Sequence, residues 1–331
     1  MLLSLTLLLL AAAGPVLGPQ KTFGDWAVAC DNVQRCEMTS LLPESAPDDA
    51  AWNDLRVSVV REPAGAPVLM IDLQGDHSGR AELRIDGNPA GGGMLDGGTL
   101  TIPGAAAVAA MASAKQFAVT NAAGKVIGRA SLAGSSAALR FIDAAQGLAG
   151  TSAALVATGP KPRPATAPRP LPVVSYIRPP AGPAPTVTPA LRKAMMTASK
   201  CEDEFTGADQ AAESHRLDAR TTLVLLPCGS GAYNANAVPF VVVAGKPTLA
   251  RFDTSVGWSN DGPPMLVNAD FDAKTARLGS YAKARGVGDC GSSQAFVWDG
   301  AMFRLVEATQ MGECRGSTNW LTVWRAEARA R

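Results

Sequence analysis

Residues 159–189 read GPKPRPATAPRPLPVVSYIRPPAGPAPTVTP, and this stretch decides how the chain is divided. Eleven of the 24 prolines lie in it, with Lys161, Arg163, Arg169 and Arg178 and no acidic residue. Proline fixes φ and removes an amide donor, so the stretch reads as extended, polyproline-like chain rather than helix or central strand. Such a segment could dock a proline-recognising partner, but a semi-rigid spacer is the simpler reading. At its middle, Val173 to Ile177 is a β-prone island expected to pin the spacer to a domain surface.

Upstream of the linker, residues 19–158 read as a β-rich domain. Phe23–Cys30, Leu55–Arg61, Val68–Leu73, Ala81–Ile85 and Leu100–Ile102 are β-prone or alternate apolar with polar residues. Turn residues separate them, as in Asp86-Gly87-Asn88-Pro89. Further strands are expected at Gln116–Thr120, Lys125–Leu132 and Ala153–Ala157. Two alanine-rich stretches, Ala105–Ala114 and Ser136–Gln146, read as short helices. In the second, Ala138, Leu139, Ile142 and Ala145 share one apolar face. The run Gly91-Gly92-Gly93 has no P-loop lysine and reads as a loop.

Downstream, residues 190–331 open with a helix over Ala190–Cys201, with Thr188 as N-cap and Pro189 at its first position. Strands are expected at Thr221–Pro227, Phe240–Ala244, Leu249–Asp253, Met265–Phe271 and Arg277–Tyr281. A hairpin joins Gln294–Trp298 to Met302–Val306 through a two-residue turn at Asp299-Gly300, and Trp320–Trp324 makes a last strand. The expected fold class is therefore α+β, mostly antiparallel β. Two β-rich domains with a few short helices are joined by a proline-rich linker.

Residues 1–18 resemble an export leader. Leu2–Leu10 form a short apolar run and Ala11 to Gly14 supply small residues, although no Lys or Arg precedes them. Cleavage is placed after Gly18, with Gly14 as the alternative cut. The competing reading is a retained anchor, but the run is shorter than the ~20 residues a spanning helix needs. No later segment is apolar enough to span a membrane, so a periplasmic or secreted protein is expected. A formal net charge of +1 gives no reason to invoke nucleic acid.

Six cysteines follow this leader: Cys30, Cys36, Cys201, Cys228, Cys290 and Cys314. An even set in an exported chain reads first as disulfides. Six allow many pairings, and proximity favours Cys30 with Cys36, Cys201 with Cys228 and Cys290 with Cys314. A metal site or a redox centre is a poor rival, because no C-x-x-C pair exists and His77 and His215 are the only histidines. No cofactor is expected.

Several quoted stretches carry a resemblance. FGDW at Phe23–Trp26 followed by Cys30 and Cys36, SLAGSSAALRFIDAAQGLAGTSAALVATGP before the linker, GDCG at Gly288–Gly291, FVWDGAMFRLVE at Phe296–Glu307 and GECRG at Gly312–Gly316 are similar to the bacterial family called domain of unknown function 1176 (DUF1176). The first domain also resembles, more loosely, invasion-associated locus B proteins, which share the opening. The resemblance implies an exported six-cysteine protein and brings no catalytic residues.

Other constellations give little chemistry. Asn268, Asp270 and Asp272 alternate like the start of a calcium loop, but Ala273 and Gly279 stand where Gly and the bidentate Glu belong. Asp76, His77 and Ser78 are adjacent in a polar loop, which is not a nucleophile triad. His215 among Glu213, Arg216 and Asp218 reads as a solvated helical or loop face. Trp258, Trp298, Trp320 and Trp324 could form a sugar-binding surface, though tryptophans in β domains are more often core. Ser230-Gly231-Ala232-Tyr233 matches the SGxY loop of some periplasmic lysozyme inhibitors, so Ser230, Gly231 and Tyr233 are the candidate binding loop. The function expected is a non-catalytic binding protein of the envelope, engaging an envelope protein or a glycan. The alternative is a lysozyme inhibitor acting through that loop.

Overall fold

Gly24 takes a φ of 53° and folds the stretch expected as one strand, Phe23–Cys30, into a tight hairpin. A Cβ at this glycine would lie 2.8 Å from the Ala133 carbonyl, so the turn also sits hard against the segment before the second helix. The computed structural model describes residues 14–46, 54–165, 167–201, 211–257 and 262–331.

The hairpin joins β1 (Gln20–Phe23) to β2 (Trp26–Cys30), and β3 (Cys36–Ser40), β4 (Leu55–Arg61) and β5 (Val68–Leu73) follow. Next come β6 (Gly79–Ile85), β7 (Asn88–Leu95) and β8 (Thr99–Pro103), then α1 (Ala105–Met111), β9 (Gln116–Asn121), β10 (Val126–Ser131) and α2 (Ser135–Ala145). They build one antiparallel sheet of order β1-β2-β3-β4-β5-β8 and a second of order β10-β9-β6-β7. Trp26, Val28 and Met38 from the first sheet meet Leu83, Phe117 and Val119 from the second. The α2 face of Ala138, Leu139 and Ile142 closes this core, as its periodicity requires.

The linker carries β11 (Val173–Tyr176), and the C-terminal portion opens with α3 (Pro189–Ser199), whose Thr188 hydroxyl accepts from the Leu191 amide. After it come β12 (Glu213–Arg216), β13 (Thr221–Ser230), β14 (Ala235–Val243), β15 (Lys246–Leu249) and β16 (Leu266–Val267). The chain continues through β17 (Asp270–Asp272), β18 (Arg277–Lys283), β19 (Gly291–Trp298), β20 (Phe303–Met311), β21 (Leu321–Arg325) and β22 (Glu327–Ala330). One sheet runs β12-β13-β14-β15 with β16 beside β14, and the other runs β17-β18-β19-β20-β21. Leu223 and Leu225 of β13 face the second sheet, while Val224 and Leu226 face α3. That double burial is why β13 reads as a continuous apolar run rather than an alternation. The β-rich α+β class is as expected, with three helices among the described residues.

The linker does not hang free at its middle. β11 pairs in parallel with β22, and the Ile177 amide donates to the Trp298 carbonyl at 2.9 Å. Three disulfides, Cys30–Cys36, Cys201–Cys228 and Cys290–Cys314, follow sequence proximity, with separations of 6, 27 and 24 residues. Closing either long loop stabilises the fold by about 3 kcal/mol on the loop-entropy scale.

Several local expectations are corrected. Gly91 to Gly93 is not a loop but part of β7, where a Cβ on Gly92 would lie 2.4 Å from the Ala81 carbonyl and one on Gly93 2.6 Å from Leu100. Ala153–Ala157 is not a strand. The buried Asp143 carboxylate gathers the amides of Leu155, Val156 and Ala157, and this competes with any sheet ladder. Arg61 completes that centre at 3.2 Å from Asp143, and burial pushes its guanidinium below its ordinary pKa while Asp143 opposes the shift. Met265–Phe271 breaks at Asn268, whose φ is 45°, and β15 stops at Leu249. The Asp299-Gly300 turn spans four residues, because Trp298 pairs with Phe303 and the Asp299 carboxylate caps the Ala301 and Met302 amides.

The two halves share a buried layer. Ala27, Ala29 and Leu41 turn away from the first core and join Phe296, Leu305, Leu321 and Val323 in the second. Every residue of β2 and β3 is therefore buried. Polar groups stitch the same joint. Arg315 donates to the Leu42 carbonyl at 2.9 Å, to the Gly24 carbonyl at 2.8 Å and to the Asp25 carboxylate at 2.5 Å. Arg325 reaches Asp31 at 2.5 Å, and Asn319 reaches Glu37 at 2.7 Å. The amide of Gly18, the last residue of the expected leader, donates to the Val323 carbonyl of β21 at 2.8 Å.

Candidate binding surface

The motifs quoted above converge, and what they build is mainly this joint. FGDW supplies Asp25 and the Gly24 carbonyl, GECRG supplies Arg315, and SLAGSS supplies Ser131, whose carbonyl accepts the Trp26 indole N–H at 3.0 Å. Asp289 of GDCG is buried beneath the second sheet. It accepts from Arg285 at 2.7 and 2.5 Å and from the Gly316 amide at 2.6 Å. Burial raises the Asp289 pKa, but the Arg285 hydrogen bonds and the Gly316 amide outweigh it and hold the carboxyl below its usual range. These are structural ion pairs, with no reacting group presented to solvent.

The expected loop lies at the β13–β14 tip. Ser230 pairs with Ala235, and the Gly231 amide donates to the Asn234 carbonyl at 2.7 Å. Tyr233 is 39% exposed, yet it does not project. Its hydroxyl donates to the Ala284 carbonyl at 3.1 Å, and its ring lies against Gly286. Asn234 donates to the Lys283 carbonyl at 2.8 Å and accepts from Asn268 at 3.0 Å, which ties the tip to the end of β18.

Sequence reasoning missed the neighbours that complete this face. In RLGSYAK of β18, Leu278, Ser280 and Ala282 are buried while Tyr281 and Lys283 point to the other side. Tyr281 is 40% exposed and stacks on Trp320, with ring centroids 4.6 Å apart and planes 9° from parallel. Gly291 makes room for this stack, since a Cβ there would meet Trp320 at 2.8 Å. The Lys283 ammonium lies 5.6 Å from the Tyr233 ring centroid and has no carboxylate partner among the described residues. The period-two alternation of β18 was the available signal, because it puts an aromatic and a cation on a solvent face.

The remaining expected residues do not assemble a site. Asp272 caps its own turn by accepting from the Lys274 amide and the Thr275 hydroxyl, each at 2.8 Å. These bonds, the Thr275 hydroxyl first, hold its carboxyl below the usual range. Among the described residues no cluster of His, Cys, Asp and Glu could hold a metal ion. Asp76, His77 and Ser78 form no side-chain hydrogen-bond chain with one another. His215 is on strand β12 rather than a solvated face, with its ring 5.1 Å from Phe271 and Nε2 3.6 Å from Glu213. Trp298 is core and donates to Asp218, Trp324 donates to the Leu305 carbonyl, and Trp258 lies outside the described residues.

The model of the family described as "Protein of unknown function (DUF1176)" matches residues 20–327. The chain belongs to the DUF1176 family. It is also 29% identical, over 338 aligned positions, to the Escherichia coli (strain K12) "Uncharacterized protein YpfG", covering 92% of each chain. No solved structure matches. The looser likeness to invasion-associated locus B proteins is not shown by these matches. Nothing in the family description or the relative's name points to catalysis. Three disulfides are consistent with an oxidising, extracytoplasmic setting. No described helix is long and apolar enough to cross a membrane.

Proposed function

We propose that this DUF1176 protein is an exported envelope protein that acts by binding, and that its target is a carboxylate-bearing glycan held on the Tyr233–Tyr281–Lys283 face. One observation carries the reading: an exposed tyrosine stacked on the near-parallel ring of Trp320 stands two residues from an ammonium with no carboxylate partner among the described residues. A rigid aromatic face packs on the C–H side of a sugar ring at low entropic cost, and the adjacent cation selects an anionic substituent. Disulfide stapling of the strands beneath, through Cys290 and Cys314, suits such a surface to an oxidising compartment.

The lysozyme-inhibitor reading asks Tyr233 to reach into a partner's cleft. Here its hydroxyl is engaged with Ala284, so a flat face is the better supported use of the same loop. Cosedimentation with purified peptidoglycan sacculi tests the proposal. The wild-type protein should pellet with sacculi, and Tyr281→Ala should weaken that association at least about tenfold, which corresponds to 1.4 kcal/mol. Equal retention of the two proteins, or none of either, would count against it.

A further inference from the structure

A separate cavity lies on the far side of the C-terminal portion, between α3 and the outer face of the β12–β15 sheet. Its volume is about 520 Å³, and Val187, Leu191, Val224 and Val242 form its walls. That volume falls within the ~300–1,000 Å³ range of small-molecule sites, whose walls are mainly apolar with a few polar groups at the edge. The reason for the gap is legible in the helix. Met195 and Met196 fill the C-terminal half of the α3–sheet core, whereas Ala190 and Ala194 leave the N-terminal half short of volume. The gap is a groove open to solvent, since Ala190, Ala194, Arg220, Ala244 and Gly245 along it are exposed.

The mouth carries one cation. Arg220 lines the cavity, and among the described residues its guanidinium has no ion-pair partner. The nearby Asp218 carboxylate is already committed, accepting from the Arg220 and Thr221 amides at 2.8 Å each and from the Trp298 indole at 3.1 Å. Burial raises the Asp218 pKa, but those hydrogen bonds prevail and keep it below the ordinary range. Asp218 therefore has little capacity left to neutralise the arginine.

We infer that this cavity binds a single-chain fatty acid, with the alkyl chain between α3 and the sheet and the carboxylate on Arg220. An apolar slot with a lone guanidinium at its mouth complements an amphiphile that is apolar over its length and anionic at one end. The site is independent of the Tyr233–Tyr281–Lys283 face, so either can fail without the other.

Isothermal titration of the full-length protein with dodecanoate, with dodecyltrimethylammonium as the charge control, tests the inference. Dodecanoate should bind with one-to-one stoichiometry, and the ammonium amphiphile should bind at least about tenfold more weakly. Arg220→Gln should lose about tenfold in dodecanoate affinity. Ala194→Leu, which fills the slot, should abolish binding while raising the melting temperature of the ligand-free protein, and that rise shows that the variant folds. Equal affinity for both amphiphiles, no saturable binding, or full binding by Ala194→Leu would overturn the assignment.

Discussion

Replacing Arg315 by leucine tests whether the family motifs act as a structural joint. The guanidinium donates to two backbone carbonyls, of Leu42 and Gly24, and to the Asp25 carboxylate. Arg315 keeps 17% side-chain exposure and Asp25 keeps 9%, so the pair is largely but not fully dry. Removing one partner of a buried, hydrogen-bonded charge pair costs about 3–5 kcal/mol. Residual exposure, and the Glu44 amide that still donates to Asp25 at 3.1 Å, bring the expectation to the lower end, about 3 kcal/mol. For roughly 300 residues unfolding as one unit, at about 2.1 cal/mol/K per residue, this corresponds to a melting temperature lower by roughly 4–5 °C. Arg277→Leu is the control, because it breaks the exposed pair with Glu307, where side-chain exposures are 41% and 50%. That pair should be worth no more than about 1 kcal/mol. Calorimetry alongside far-UV circular dichroism reads both variants, and the shared buried layer predicts a single transition in the wild type. If Arg315→Leu and Arg277→Leu cost the same, the joint does not carry the stability assigned to it.

Other outcomes follow from the same geometry. Replacing Cys290 and Cys314 together by serine should lower stability by about 3 kcal/mol in urea unfolding, as expected for a loop of 24 residues. Ala244 holds a φ of 49° in the two-residue turn between Val243 and Lys246, so Ala244→Gly should raise stability by about 1 kcal/mol, read as a later urea midpoint. The depressed Asp289 carboxyl contributes stability that is complete above its unfolded value near 3.8 and is lost as pH falls below it. Asp289→Asn should therefore be less stable at neutral pH and show a shallower acid limb in a pH series of melting temperatures.

Much of the fold is legible where one face of a strand is buried. LRVSVVR and VLMIDL alternate, and β4 and β5 begin and end where that alternation does. Thr188-Pro189 marked the start of α3 because capping is local chemistry. The joint was not legible, because it is built from polar residues distant in the chain. β3 reads CEMTS, and its Glu37 and Thr39 are buried only because Asn319 and Ser317 answer them. β7 was hidden by glycines whose role is to let β6 and Leu100 approach closely. The Asp143 centre disguised 153–157 in the same way, since a β-prone stretch was captured by one carboxylate. Of the proposed binding face, Tyr233 was visible as a loop motif. Tyr281 and Lys283 gain meaning only when β18 is set beside the β13–β14 tip.

The central claim is that function resides on this face, and Trp320 reports on it directly because Tyr281 stacks on its ring. The measurement is a titration of ¹⁵N-indole-labelled protein with soluble peptidoglycan fragments, following the tryptophan side-chain resonances. The account predicts a saturable shift of the Trp320 resonance, an unmoved signal from the fully buried Trp26, and loss of the response in Tyr281→Ala. A Trp320 resonance that stays fixed through saturating glycan, or a response unchanged in Tyr281→Ala, would contradict it.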